Sequence, residues 1–193
     1  HLFSWWLVFN IYAMILFSLF AQEKVGRPYL TYYSVKDYEG YHQNWAVAEN
    51  HDGYIFVANN NGILVYDATQ WKMIQNPKRG TVRSLAVDRN NRVWVGAQGE
   101  FGWIDYQSDG QMVFRSLENR IPLPVKFDDI WKVHATDSMV YFRSKKYIFC
   151  WNGNEITVLK DSIPFSSSFQ VGDSVYVYQN DKGISLLKGD RLQ

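Results

Sequence analysis

Short apolar stretches alternate with turn-forming clusters along almost the whole chain after residue 40. The stretches are rich in β-branched and aromatic residues, the composition that suits a pleated, half-buried strand. Between them stand Asn50-His51-Asp52-Gly53, Asp88-Arg89-Asn90-Asn91, Ser108-Asp109-Gly110 and Asn152-Gly153-Asn154, where Asn, Asp and Gly supply the backbone conformations of turns. After Ala21 no window of 12 or more residues carries a helical period with caps. The pattern predicts an all-β chain.

The stretches repeat as units. Around Phe56, Trp94, Tyr141 and Tyr176 an apolar strand leads through a short loop into a second one, and these four aromatics stand 38, 47 and 35 residues apart. The first unit reads as strands over 44–49, 54–58, 62–66 and 71–74. The second reads as 82–87, 92–96, 101–106 and 112–116, and the third as 130–134, 139–143, 147–151 and 155–159. The fourth reads as 168–171, 174–178 and 184–188, and stops where a last strand should begin. The long interval holds an insert over 118–128 with Pro122 and Pro124, expected as an extended loop. Four-stranded units at this period are the signature of β-propeller blades. A β-sandwich would also contain many short strands, but not four units of the same internal order. The expectation is therefore a β-propeller of four-stranded antiparallel blades over 44–80, 81–129, 130–167 and a partial 168–193, behind a lead-in strand and loop over 22–43. Because propellers close with roughly 4–8 blades, this is an incomplete ring of about four blades.

Charge changes the picture at one end. Residues 1 to 21 contain no Lys, Arg, Asp or Glu, and 2–20 are almost wholly apolar before Ala21-Gln22-Glu23-Lys24. This reads as a secretory signal with a small residue at the cleavage position. The competing reading is an uncleaved N-terminal membrane anchor, since about 18 apolar residues can just span a bilayer. In either case the rest of the chain is expected to be exported to the periplasm. With 20 basic and 19 acidic residues the formal net charge is +1. There is no basic field to hold a phosphate backbone, so this segment is not expected to bind nucleic acid directly. The single cysteine, Cys150, lies in an apolar run and reads as a small core residue.

The stretch from Tyr32 to Ala58 resembles the start of the two-component-regulator propeller repeats. Asp52-Gly53, Phe56 and Gly62-Ile63 fit the repeat in the first unit; Asp88, Trp94, Gly96 and Gly102 fit it in the second. The third and fourth units match the strand pattern without its Trp-apolar-Gly core. The resemblance implies the ligand-sensing end of a membrane-bound signalling or transcription regulator. It also implies a tyrosine-rich β-sandwich downstream, a transmembrane segment tethering the protein to the inner membrane, and an output module, either a histidine kinase or a DNA-binding domain. The ligands it implies are glycan fragments or other small polar nutrient signals.

Candidate chemistry is sparse. His1, His42, His51 and His134 show no metal-ligand spacing, and no nucleophile elbow, phosphate loop or dinucleotide fingerprint is present. No metal, cofactor or catalytic residue is expected, and the fragment is expected not to be an enzyme. A secreted propeller enzyme, a lyase or glycosidase, stands as the alternative, with Glu100 and His42 as its acid–base candidates. An extracellular protein-interaction scaffold is another, and a homodimer is allowed. If a ligand binds, topology places it on the loops between second and third strands, which share a face with the blade-to-blade linkers. That nominates Asn60, Gln98, Glu100, Lys145 and Asn180, with His42 and Gln43 from the lead-in loop. Among the tryptophans, Trp94 reads as inter-blade core, and Trp45 and Trp131 as structural residues at matching inner-strand starts. Trp71 and Trp103 are the candidates for ligand stacking.

Overall fold

Alternation along each apolar stretch puts every second side chain on one side of its strand, so each blade has two faces to bury. In a computed structural model of the chain, residues 29–193 are described, together with Trp5, Trp6 and Gly26. The chain divides into two units, His1–Tyr32 and Tyr33–Gln193, and the second holds the blades. The apolar segment expected to direct export lies outside the described residues. Among the described residues no helix is long and apolar enough to cross a membrane.

Blade 1 consists of β1 (Asn44–Glu49), β2 (Ile55–Asn59), β3 (Gly62–Tyr66) and β4 (Trp71–Ile74). Blade 2 has β5 (Val82–Val87), β6 (Val93–Ala97), β7 (Glu100–Tyr106) and β8 (Met112–Ser116). Blade 3 has β9 (Lys132–Ala135), β10 (Val140–Arg143), β11 (Tyr147–Trp151) and β12 (Ile156–Lys160). Blade 4 has β13 (Ser167–Val171), β14 (Ser174–Gln179), β15 (Gly183–Lys188) and β16 (Arg191–Leu192). Each blade is a separate antiparallel sheet with its strands in chain order. The fold is an all-β, unclosed array of propeller blades.

Two sequence expectations are corrected. The fourth blade is not three-stranded: β16 pairs with β15 through Leu187↔Leu192 and Lys188↔Arg191. Gly189, at φ 60, opens the two-residue loop between them. A strand of two residues has no periodicity to read. The described part of the lead-in segment forms no extended strand but carries a single helical turn, α1 (Val35–Tyr38). The Asp37 carboxylate accepts the Ser34 N–H, and Glu39 leaves the helix in the left-handed region at φ 51.

Burial follows the blades. One core lies between blades 1 and 2, with Phe56, Ile63 and Val65 facing Val93, Val95 and Ile104. A second, between blades 2 and 3, joins Trp94 and Phe101 to Phe142, Phe149 and Trp151. A third, between blades 3 and 4, joins Tyr141, Ile148 and Cys150 to Val175, Val177 and Leu187. Burial pushes the Cys150 thiol up to about 12, which fits a packing residue and not a nucleophile. The 118–128 insert opens with a 3₁₀ turn, Glu118–Arg120. It is anchored by Phe127, whose ring lies 4.8 Å from Phe149 and 5.6 Å from Phe101. Gly96 belongs where it is because a Cβ there would meet both Ser84 Oγ and Ile130 Cγ2 at 2.5 Å.

Polar staples join the first hairpin turns of successive blades. The His51 N–H donates to Asn91 Oδ1, and Asn91 Nδ2 donates to Asp52. Arg89 pairs with Asp137 at 2.9 Å, and the Asp137 N–H donates to Asp173. Small surface bonds of this kind contribute little singly; here they link each blade to the next.

Candidate ligand-binding face

Linkers between blades lie against the loops joining second to third strands. Gln98 N–H donates to Thr81 O, Gly99 N–H to Asp128 O and Phe165 N–H to Lys145 O. In blade 1 the fully buried Asn59 ties down the lead-in loop: its Oδ1 accepts the Tyr41 N–H, and its Nδ2 donates to the carbonyls of Tyr41 and Gln43. These bonds gather lead-in, linkers and loops on one face.

Bulges at the start of the inner strands aim particular side chains there. Asn44 pairs with Asn59 and Ala46 with Ala58, which leaves Trp45 without a partner in the register. Val82 pairs with Ala97 and Ser84 with Gly96, which leaves Arg83 without one. Just before β9, the Trp131 N–H bonds to Arg143 O although Lys132 is the residue registered opposite Arg143. An extra residue of this kind bends the strand and redirects its side chain.

The three redirected side chains meet. The Arg83 guanidinium lies 3.9 Å from the Trp45 ring centre and 4.9 Å from that of Trp131. The two indoles stand edge to face, 6.2 Å apart. Arg83 Nε donates to Asp129 Oδ1 at 2.9 Å, and both side chains are 15% exposed. A cation held over an indole stabilises by roughly 0.5–2 kcal/mol. Because Asp129 neutralises the guanidinium, the cluster presents aromatic surface more than charge. Trp45 remains 38% exposed. Around the cluster, Trp45 Nε1 donates to Asn60 Oδ1 at 2.7 Å and Asn60 Nδ2 to Gln43 Oε1 at 3.4 Å. The Lys145 ammonium lies 5.9 Å from the Trp131 ring centre. Indole surface rimmed by amides and one ammonium suits a ligand with an apolar face and polar edges.

The nominated residues divide accordingly. Gln43 and Asn60 join the cluster through Trp45, and Lys145 joins it through Trp131. Gln98 is exposed and makes a backbone bridge to Asp129, the partner of Arg83. His42 is exposed, its ring 4.1 Å from that of Tyr41. Asn180 is exposed on blade 4 and accepts a bond from Ser166 Oγ. Glu100 is not a loop residue. It begins β7, is 1% exposed, and accepts the Ser116 hydroxyl at 2.6 Å. Burial, and to a lesser degree the charge of Glu118, raise its pKa above the ordinary carboxylate range. Strand alternation turned it inward, where a loop would have turned it out.

The tryptophans also need correction. Trp94 is core, as expected, with its Nε1 donating to Asp88. Trp71 is not open for stacking: it packs against Tyr33, Tyr38 and Tyr66. Trp103 is half-buried beside Trp94. Among the tryptophans of the blades the exposed one is Trp45, which had read as structural. Arg83 and Asp129 were not nominated at all. A signal was present: Trp45, Arg83 and Trp131 are 38 and 48 residues apart, the blade spacing to within one residue. A groove of about 790 Å³ opens on the same face under the insert, lined by Lys78, Glu118, Leu123 and Phe127. Lys78 and Glu118 are already paired there at 2.6 Å.

No family model matches the chain. No curated protein matches it either. Solved structures do. The chain is similar to the WD40 β-propeller domain of Doa1, with 14% identity and TM-score 0.57, over 77% of this chain and 52% of that one. It is similar to the extracellular domain of the hybrid two component system BT4673 from B. thetaiotaomicron, with 17% identity and TM-score 0.55, over 74% of this chain and 21% of that one. It is also similar to a catalytically inactive virginiamycin B lyase from Staphylococcus aureus, with 16% identity and TM-score 0.56, over 78% of this chain and 54% of that one. The chain thus spans about half of the first structure and a fifth of the second. At these identities the likeness shows the propeller fold.

Proposed function

We propose that this chain is the extracytoplasmic ligand-sensing propeller of a membrane-bound signalling or transcription regulator. Its ligand is a small polar molecule, such as a glycan fragment, seated on the Trp45–Arg83–Trp131 cluster. The observation that carries the reading is the convergence of three bulge residues from three successive blades on one face, with Gln43, Asn60 and Lys145 at the rim. The apolar opening segment, the repeat resemblance and the fold likeness to an extracellular domain of a two component system support the rest. A ligand touching blades 1, 2 and 3 together favours one arrangement of them over others, and that differential affinity is what a sensor transmits.

The enzymatic reading is weaker. Glu100, its acid–base candidate, is bonded to Ser116 inside blade 2. Intrinsic tryptophan fluorescence, titrated with a panel of oligosaccharides, tests the proposal. Trp45→Ala should weaken the responding ligand about tenfold or more, the loss of one aromatic contact, while Trp71→Ala leaves affinity unchanged. Equal affinity in wild type and Trp45→Ala would remove this site.

A further inference from the structure

Two arginines place most of the side chain inside the protein, and they differ in one respect. Arg83 has a carboxylate partner in Asp129. Arg143, at the end of β10, is 7% exposed and makes no ion pair among the described residues. Its Nε donates to Ser168 Oγ at 3.0 Å, and a terminal nitrogen donates to Phe165 O at 2.7 Å. Every acceptor is neutral. Burial draws its pKa down to about 10, which still leaves it charged at neutral pH. A buried cation without a counter-charge is unfavourable, so its surroundings carry information.

Those surroundings supply donors. Lys132 is registered directly opposite Arg143, is exposed, and makes no ion pair among the described residues. Ser168 Oγ accepts from Arg143 and lies 2.8 Å from His134 Nε2. Lys132, His134 and Ser168, with Phe169 and Gln170, line a crevice of about 470 Å³ between β9 and β13, and no carboxylate lines it. The volume fits a small molecule.

We infer that this crevice binds a small oxyanion, either a carboxylate or an inorganic oxyanion. Lys132 is its direct ion partner, His134 lines the crevice beside it, and Arg143 behind Ser168 supplies buried positive charge. The site lies between blades 3 and 4 and does not depend on the ligand assigned to the Trp45–Arg83–Trp131 cluster. The test is calorimetric titration and thermal unfolding at pH 7 with sodium acetate, phosphate and sulfate, each against sodium chloride at matched ionic strength. Saturable binding of at least one oxyanion, accompanied by a raised Tm, is expected. A preference for acetate assigns a carboxylate, and a preference for phosphate or sulfate an inorganic oxyanion. Lys132→Gln should weaken binding about tenfold, as loss of one charge-assisted contact does, with the ligand-free Tm unchanged because Lys132 is on the surface. Arg143 variants risk failing to fold, so a second readout is the His134 ring signal in NMR, which should shift on titration. Oxyanions that act no differently from chloride, or unchanged affinity in Lys132→Gln, would overturn the inference.

Discussion

Blades 1 and 4 each have one face that no neighbouring blade covers, and the two faces have different fates. In blade 1 the row Val47↔Val57↔Leu64 crosses that face: Val47 on the inner strand is 68% exposed, but Val57 is 7% and Leu64 1% exposed. The equivalent row in blade 4, Phe169↔Tyr176↔Leu186, begins with Phe169 at 44% and ends with Leu186 half-buried. The difference is the lead-in segment. Tyr33 packs on Tyr66 and Trp71, Tyr38 packs on Trp71, and Gly40 lies against Leu64. Asn59 then pins the segment at Tyr41. Blade 4 has no such cover among the described residues, and Val171 and Ile184 remain more than 60% exposed. A short aromatic strap is therefore enough to dry the part of a blade face that it covers, around Val57 and Leu64, while Val47 beyond it stays wet.

Deleting side chains from the two rows gives the largest contrast. Leu64→Ala should lower unfolding free energy by about 2–5 kcal/mol, the range for a buried leucine, and Leu186→Ala by clearly less. Urea melts of the two variants decide this, and equal costs would mean the strap does not seal blade 1.

Acid should loosen the blade 4 side. His134 faces Ser168 across the third core, with Lys132, Arg143 and Tyr141 on its own side. Burial, then the charges of Lys132 and Arg143, depress its pKa to about 4, whereas the unfolded chain has the ordinary value near 6.5. The unfolded state therefore takes up a proton that the native state refuses. Stability from this group is complete above about pH 6.5 and is lost as pH falls to about 4, by up to about 3 kcal/mol. Hydrogen exchange at pH 7 and pH 4.5 should show blade 4 losing protection before blade 1. His134→Gln should flatten the pH slope.

Removing one ring of the strap has a smaller effect. Tyr38→Ala should cost about 1–2 kcal/mol, for lost burial and one aromatic pair, and should open β4 amides to exchange. Polar substitutions on the uncovered face come last. Val171→Lys and Ile184→Lys should change stability by no more than about 0.5 kcal/mol while reducing light scattering from self-association. A large loss of stability in these two variants would show that something already covers blade 4.

The blade count, the strand positions to within a residue or two and the core position of Trp94 were legible because they rest on local alternation and turn chemistry, which a repeated pattern reinforces. The candidate site was half legible. Loop topology pointed to Gln43, Asn60 and Lys145, but Glu100 was assigned outward. One residue of register decides which way a side chain at a strand's first position faces. Trp45 and Trp131 read as structural because they stand at matching inner-strand starts. The bulges that turn them out depend on how each inner strand registers against its second strand.

The amino-acid sequence alone determined that the chain forms four-stranded blades in series, because strand period and turn residues act over a few positions. Tertiary structure decided which faces stay wet, where Trp45, Arg83 and Trp131 meet, and why Arg143 lacks the carboxylate that Arg83 has. Those outcomes depend on residues dozens of positions apart meeting across bulges and between blades, and no local pattern encodes such meetings.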